Sequence, residues 1–198
     1  MSKADPAARK KERKKAIRWF ITIFLVTIVI SATISFVSEE IMSVSGMAVA
    51  FLILLAIILV GILFDIIGVA VTSADERPFH SMASRKVRGA REAIALLRNA
   101  EKVSSICNDV VGDICGVVSG SASATIAAQI LVKFEFSWPM VVSLVMSALV
   151  AGLTVGGKAI GKTFAIQSST AIVYTVGRFL HVIGRFRHMF DQKKNSKR

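Results

Sequence analysis

Four long stretches of the chain contain no charged residue, and each has the length of a membrane-spanning helix. They run from Trp19 to Ser38, from Ile41 to Phe64, from Ile114 to Val132 and from Phe136 to Gly157. Each holds about 19 to 24 residues, and a helix needs roughly 20 to cross a 30 Å hydrocarbon core. The pattern predicts an all-α integral membrane protein with four transmembrane helices. A cleaved signal peptide is the alternative for the first stretch, but its apolar run is too long and no small-residue cleavage site follows it.

Two further segments alternate apolar and charged residues with the period of a helix. In both segments the apolar positions recur every three or four residues, and polar residues take the opposite side. The periodicity predicts two amphipathic helices beside the membrane, and the basic, aromatic second one is typical of a helix in the lipid interface. The first spans 79–97, with Phe79, Ala83, Val87, Ala90, Ile94 and Leu97 opposite Arg85, Arg88 and Glu92; the second spans 172–190, with Ile172, Val176, Phe179, Ile183, Phe186 and Phe190 opposite Arg178, His181, Arg185 and His188.

The distribution of charge orients the four spans. Of the 25 Lys and Arg residues, 24 lie in residues 1–18, 73–105 and 158–198, whereas the other two connections hold only Lys133, together with three glutamates. Cytoplasmic loops of membrane proteins carry an excess of Lys and Arg. We therefore expect a multi-pass protein of the cell membrane, with both termini and both amphipathic helices on the cytoplasmic side.

Composition and charge support the membrane assignment and exclude three other classes of protein. Hydrophobic residues make up 54% of the 198 residues and charged residues 19%, which is too apolar for a disordered chain or an ordinary soluble domain. The net charge of +12 is divided among three segments, so it is an orientation signal and not one nucleic-acid-binding face. The expected organisation is a basic N-terminus (1–18), a single four-span membrane domain (19–190) and a basic tail (191–198).

Candidate catalytic chemistry is sparse. Cys107 and Cys115 are eight residues apart, which fits neither a metal-ligand spacing nor a disulfide framework, so we expect buried reduced thiols. Of the three histidines, two are expected to belong to a polar helix face, and none has a carboxylate or cysteine at the spacing of a metal ligand. Because the sequence contains no nucleophile–base pair and no phosphate-binding loop, an enzymatic activity is not expected.

Acidic and amide residues lie at the ends of the apolar stretches. Asp65 follows the second stretch, and Asn108, Asp109 and Asp113 lie at the start of the third, with the two aspartates four residues apart on one helical face. A carboxylate at membrane depth is costly unless it faces a partner or a wet cavity, and oxygen ligands suit a hard cation such as Mg²⁺. Two hypotheses stay open: these residues bind a cation, or they lie near the interface and cap helices or pair with basic neighbours.

Small residues form a stripe along the third stretch. Their spacing of three and four residues predicts that two transmembrane helices approach closely there, within the chain or across a homodimer. The stripe consists of Gly112, Gly116, Ser119, Gly120 and Ala124.

Three short motifs follow one another along the last two thirds of the chain. The first is Val69-Ala70-Val71-Thr72-Ser73, the second is the stretch from Leu96 to Lys102, and the third, from Gly157 to Ala165, has Gly, Lys and Ala at matching spacings. With an amphipathic helix after the first and the third core span, residues 64–198 resemble the membrane domain of the CorB/CorC and CNNM magnesium-transport family, the DUF21 domain. The resemblance implies a DUF21-like core of about residues 48–190.

The resemblance implies a transporter of a divalent cation, Mg²⁺ or Co²⁺, that works as a homodimer in the lipid bilayer. No organic cofactor is expected, and Mg²⁺ is expected only as the bound or transported ion. The alternative is a non-transporting scaffold or accessory subunit that has kept the fold and lost the ion site. The expected cation ligands are Asp65, Ser73, Asn108, Asp109 and Asp113.

The sequence departs from the family pattern at positions that concern the metal. Lys158 and Gly161 stand where the family has an acidic residue and a proline, Gly68 stands where it has Glu, and Val110-Val111-Gly112 replaces Gly-Asn-Asn. A lysine repels a divalent cation, which favours the scaffold alternative. The sequence ends where the family's nucleotide-sensing CBS domains would begin, so we expect ATP-dependent regulation to be absent or supplied by a separate regulatory subunit.

Overall fold

The structure is a computed structural model that describes residues 6–134 and 138–195. All regular secondary structure in these residues is helical, which confirms the all-α prediction. The helices are α1 (Pro6–Val44), α2 (Met47–Ser73), α3 (Arg77–Ser84), α4 (Ala90–Arg98), α5 (Ala100–Ser105), a π-helix, π1 (Ile106–Val111), α6 (Gly112–Phe134), α7 (Pro139–Gln167) and α8 (Ser169–Asn195).

Four helical segments are long and apolar enough to cross a membrane, as the sequence predicts. The third of them runs continuously through α5, π1 and α6. The four segments are Ile17–Met42, Met47–Ser73, Ala100–Phe134 and Pro139–Gln167.

The structure extends three of the predicted spans by more than two turns. The third segment begins at Ala100, 14 residues before Ile114. α2 continues nine residues beyond Phe64, and α7 continues ten residues beyond Gly157. The prediction ended each span at its first charged residue, but Asp65 and Lys158 lie inside the helices and face each other. A neutralised pair costs less in an apolar segment than either charge alone, so the helices do not end there.

The helix predicted over residues 79–97 is two helices, α3 and α4, joined by a turn. α3 ends in a Schellman motif, in which the amide of Lys86 donates to the carbonyl of Ala83 at 3.0 Å and the amide of Val87 donates to that of Met82 at 3.0 Å. Lys86 takes the left-handed conformation this motif requires (φ 56°), and Gly89 takes it again before α4 (φ 87°). The apolar period continues through the break, which is why the sequence pattern did not show it.

The described residues divide into two compact units, of which the first comprises residues 6–55, 117–134 and 138–147. Its interior mixes small apolar side chains with buried serines. The side-chain amide of Gln129 donates a 2.9 Å hydrogen bond to the carbonyl of Met42 and so satisfies a group that the last turn of α1 leaves without a helical partner. The buried residues of this unit are Ser38, Met42, Ala50, Leu54, Val118, Ser119, Ala122, Ser123, Ile126, Ala127 and Met146.

The second unit comprises residues 56–116 and 148–195 and has a core where short helices meet the ends of two long ones. Phe79 of α3 is fully buried in this core, and burial of such a side chain contributes about 2–3 kcal/mol. The core therefore holds α3, α4 and α8 directly against the last turns of α2 and α7. Its buried members are Ala70, Val71, Phe79, Ala93, Leu97, Ala165 and Val173.

Helix α8 contacts α4 through a face other than its predicted apolar stripe. A Cβ atom added to Gly177 would lie 2.6 Å from the carbonyl oxygen of Gly89, and His181, one turn further along α8, bonds to Glu92. Phe179 is 65% exposed. The stripe is thus turned away from α4 from Phe179 onward, and Ile183 is exposed as well. Ile172 and Val176 are half-buried, and Ile172 packs against the core. The side chains of Phe186 and Phe190, like those of Arg185 and His188 opposite, lie outside the described residues.

The predicted small-residue stripe of α6 is divided between the interior and the surface. Gly112 and Ser119 are buried, whereas Gly116, Gly120 and Ala124 are exposed. A Cβ atom added to Gly120 would meet no atom of the described chain within 4 Å. The stripe as a whole is therefore not a helix contact within the chain, and its role in a homodimer stays a prediction.

Candidate intramembrane polar site

Asp65 is a buried carboxylate inside the second apolar helix. It is the nineteenth of the 27 residues of α2, so about 12 Å of helix separate it from the end of α2 at Ser73. Only 4% of the residue is exposed. A carboxylate at this depth requires a compensating charge or polar partners.

Lys158 of α7 supplies the compensating charge. Its ammonium nitrogen lies 3.8 Å from Oδ1 of Asp65, and its side chain is 22% exposed. That distance allows strong electrostatic attraction but is too long for a hydrogen bond. Lys158 therefore compensates the charge of Asp65 but donates a hydrogen bond to neither of its oxygens.

The π-helix brings Asn108 to the same place. Asn108 donates a 3.1 Å hydrogen bond from Nδ2 to the hydroxyl of Ser104, and its Oδ1 fills the space that a Cβ atom at Gly68 would occupy. Gly68 follows Asp65 by three residues on α2. At the start of α6, a Cβ atom added to Gly112 would lie 3.3 Å from the ammonium nitrogen of Lys158. A π-helix inserts an extra residue into a helical turn, often at functional sites.

Two buried acceptor oxygens in this region have no hydrogen-bond donor among the described residues. They are Oδ2 of Asp65 and Oδ1 of Asn108. Leaving a buried polar atom without a partner costs roughly 1–3 kcal/mol, and more for a charged group. The two oxygens, one carboxylate and one amide, are hard ligands suited to a cation or a water molecule.

Two of the five predicted cation ligands, Asp65 and Asn108, lie in this site. Ser73 is exposed at the end of α2, and Asp113 is exposed on α6. Asp109 is also exposed and accepts a 2.7 Å hydrogen bond from the hydroxyl of Ser105. The described residues contain no group of three or more His, Cys, Asp or Glu side chains that could hold a metal ion. The complete ligand set stays a prediction.

Lys158 is the site residue that sequence reasoning did not assign. By its place in the family pattern, Lys158 is only a repulsive replacement for an acidic residue. The sequence feature that could have identified it is that Asp65 and Lys158 carry opposite charges and each interrupts a long apolar helix, which favours an ion pair between them. Because the two residues are 93 positions apart, only the packing of α2 against α7 could show that they meet.

The two cysteines lie on the same helical segment as Asn108. Both are free; Cys107 is buried and Cys115 is half-buried. A Cβ atom added to Gly61 would lie 2.9 Å from the Cβ of Cys115, so α2 and α6 are close at this point. The side chain of Cys115 fills space between these two helices.

A second charged pair, outside the spans, joins α4 to α8. Nδ1 of His181 lies 2.7 Å from Oε1 of Glu92, and both side chains are about two-thirds buried. Partial burial by itself raises the pKa of Glu92, but the hydrogen bonds from His181 and from its own backbone amide, together with the nearby positive charge, hold that pKa below its usual value of 4.5.

This pair predicts an acid-sensitive contribution to stability. A carboxyl group whose pKa is lower in the folded than in the unfolded protein stabilises the fold above its unfolded value, and the contribution is lost as the pH falls through the folded value. Below pH 4.5 the melting temperature of the wild type should therefore fall more steeply than that of Glu92→Gln. Glu101→Gln, which removes an exposed carboxylate, is the matched control and should follow the wild type. Parallel curves for wild type and Glu92→Gln would contradict the prediction.

Comparison of the chain with protein-family models, with curated proteins and with solved structures finds no match. The resemblance to the CorB/CorC and CNNM membrane domain therefore rests on the motifs alone, and it stays a prediction.

Proposed function

We propose that this membrane protein binds a cation between its spans at Asp65 and Asn108 and passes it across the bilayer. One observation carries the proposal: a carboxylate that is 4% exposed, deep in an apolar helix, keeps one oxygen without a protein donor. Ionisable residues inside transmembrane segments are rare and usually belong to ion or proton pathways. The buried amide oxygen of Asn108 adds a second hard ligand beside it.

A cation that binds at this site competes with Lys158 for the carboxylate of Asp65. A cation that binds Asp65 has to displace the ammonium group, because two positive charges beside one carboxylate repel each other in a poorly screened interior. The resemblance implies Mg²⁺ or Co²⁺ as cargo. Where the family has Glu, this chain has Gly68, whose missing side chain leaves room for Asn108, and the acidic residue Asp65 stands one turn earlier. Lys158 replaces the family's other acidic residue.

The transport assay compares three proteins in liposomes that contain a Mg²⁺-sensitive dye. Asp65→Asn alone could fail to fold, so the test variant is Asp65→Asn/Lys158→Met, which lacks the carboxylate but leaves no unpaired charge. We expect its uptake of Mg²⁺ or Co²⁺ to fall about tenfold or more, since even outer-shell partners of a metal contribute 10- to 100-fold. Asp75→Asn makes the same chemical change on an exposed residue outside the predicted ligand set and should transport like the wild type.

A non-transporting scaffold is the second candidate, and the Asp65–Lys158 pair itself favours it. Because a lysine 3.8 Å away already neutralises this carboxylate, the pair can hold α2 against α7 without any cation. In that case the wild type takes up neither cation, and millimolar Mg²⁺, Mn²⁺ and Co²⁺ leave its melting temperature unchanged.

The orientation of the spans is part of the same proposal. With both termini, α3, α4 and α8 in the cytoplasm, α3 and α4 lie beside the membrane and the exposed stripe of α8 faces the lipid interface, as the positive-inside rule and the amphipathic patterns favour. Homodimerisation through the exposed glycines of α6 is compatible with this arrangement.

Cysteine labelling of intact cells tests this orientation. On a background of Cys107→Ala/Cys115→Ala, a membrane-impermeant maleimide should label Ser45→Cys, between α1 and α2, and should leave Ser84→Cys, at the end of α3, unlabelled until the cells are permeabilised. Labelling of Ser84→Cys from outside would show that the protein has the opposite orientation in the membrane.

A further inference from the structure

The turn between α3 and α4 carries a compact group of basic side chains. Arg85, Lys86 and Arg88 are all exposed, and none has a side-chain hydrogen bond or ion pair with another residue that the structure describes. Lys86 stands at the left-handed position of the Schellman motif, where glycine is usual. The turn thus presents three unneutralised cations within four residues.

A fourth cation reaches this turn from α8. A Cβ atom added to Gly89 would lie 2.7 Å from the Cα of Arg178, so the backbone of the turn touches α8 at that residue. The guanidinium carbon of Arg178 lies 5.9 Å from the centre of the Tyr174 ring, and the residue is exposed. Arg178 therefore stands beside Arg88 although 90 residues separate them in sequence.

The acidic residues of α3, α4 and the preceding loop do not neutralise this group. Asp75 pairs with Arg77, and Glu76 pairs with both His80 and Arg98. Glu92 bonds to His181 on the inner face of α8. Each of these carboxylates already faces a partner other than Arg85, Lys86, Arg88 and Arg178.

The basic group adjoins an exposed apolar surface at the end of the spans. Beyond Arg178, α8 exposes Phe179, Val182 and Ile183, with 65%, 50% and 47% of each residue accessible. α8 begins two residues after α7 ends, and Val173 packs with Ala70 and Ala165 of the last turns of α2 and α7. A surface at this level, cationic on one side and apolar on the other, matches a headgroup with acyl chains beside it.

We propose that Arg85, Lys86, Arg88 and Arg178, the basic cluster, bind the phosphate of an anionic phospholipid headgroup. Phe179 and Ile183 contact the acyl chains of the same leaflet. The contact of Gly89 with α8 builds the site, because it brings the turn and Arg178 together. Clusters of four or more basic residues next to a transmembrane helix are typical of anionic lipid recognition.

The test measures the melting temperature of the full-length protein in a non-ionic detergent during titration with phosphatidylglycerol, phosphatidylcholine or inorganic phosphate. Phosphatidylglycerol should raise the melting temperature, and the other two should not. In Arg85→Gln/Arg88→Gln/Arg178→Gln the phosphatidylglycerol concentration for half of the shift should rise by about fivefold for each residue removed. These side chains are exposed, and none forms an ion pair with another residue that the structure describes, so the variant should fold.

The control variant Arg13→Gln/Lys14→Gln/Lys133→Gln removes the same charge elsewhere and should keep the wild-type response. Arg178→Lys retains the charge and should respond nearly as the wild type does. An equal shift with phosphatidylcholine, an equal shift with inorganic phosphate, or an equal loss of response in both triple variants would each overturn the lipid site. These outcomes do not depend on cation transport, which the liposome assay measures separately.

Discussion

Replacing Asp65 with Asn should destabilise the folded protein by about 3 kcal/mol, because it leaves Lys158 in an apolar environment without its counter-charge. Lys158→Met should also be strongly destabilising, since it leaves Asp65 buried and unpaired. The double variant Asp65→Asn/Lys158→Met should regain most of the lost stability, because breaking a buried ion pair is costly whereas replacing both partners by uncharged residues is often neutral.

Reversible unfolding in mixed detergent micelles measures all three variants and yields the coupling energy of the pair. Asp113→Asn should change the stability by less than about 0.5 kcal/mol, since its side chain is exposed. If the two single-variant losses simply add in the double variant, Asp65 and Lys158 do not form the ion pair that the structure describes. The unfolding experiment concerns the pair alone, and the liposome assay decides between transport and scaffold.

Gly177→Leu should destabilise the protein by about 3 kcal/mol, since overpacking a closed contact costs 1–3 kcal/mol and the obstacle here is backbone. Even a Cβ atom at this position would lie 2.6 Å from the carbonyl oxygen of Gly89 and 3.0 Å from the Cβ of Ala93. α8 would have to move away from α4, which would also separate His181 from Glu92.

Gly184→Leu provides the matched control on the same helix, because a Cβ atom there meets nothing within 4 Å. Leucine has a better helix propensity than glycine, so the control should be neutral or up to about 1 kcal/mol more stable. Opposite signs for the two substitutions in thermal unfolding are the expected result. Equal effects would show that α4 and α8 do not pack at Gly177.

The distribution of apolar and basic residues in this sequence is sufficient to predict the class of fold. Charge-free runs of about 20 residues predict spans because an unpaired charge in hydrocarbon is costly, and this rule is independent of tertiary contacts. The same rule misplaces the ends of α2 and α7, because it treats Asp65 and Lys158 as isolated charges. Paired charges can lie further inside, and pairing is a property of two helices at once.

Helix periodicity predicts which residues are apolar on a face but not what covers that face. Phe79, Ala90 and Leu97 belong to the predicted stripe and are buried, yet α3 and α4 are separate helices because the chain turns at Lys86 and Gly89. In α8 the predicted stripe faces away from α4, because two glycines, Gly89 and Gly177, allow a closer backbone contact on another side. Small residues carry almost no signal in an apolar pattern, although they decide how closely helices approach.

From the sequence alone followed an all-helical protein with four apolar helices of spanning length, and the candidate ligands Asp65 and Asn108. Only the tertiary structure decided that Asn108 packs against α2 at Gly68, one turn from Asp65, that Lys158 lies 3.8 Å from Asp65, and that Ser73, Asp109 and Asp113 are exposed. The physical reason is that the free energy of moving a helix out of water depends mainly on how many apolar residues that helix contains, which the sequence shows directly. The position of a charge or an amide beside its partner depends on close packing between residues that lie some 40 to 90 positions apart in the chain.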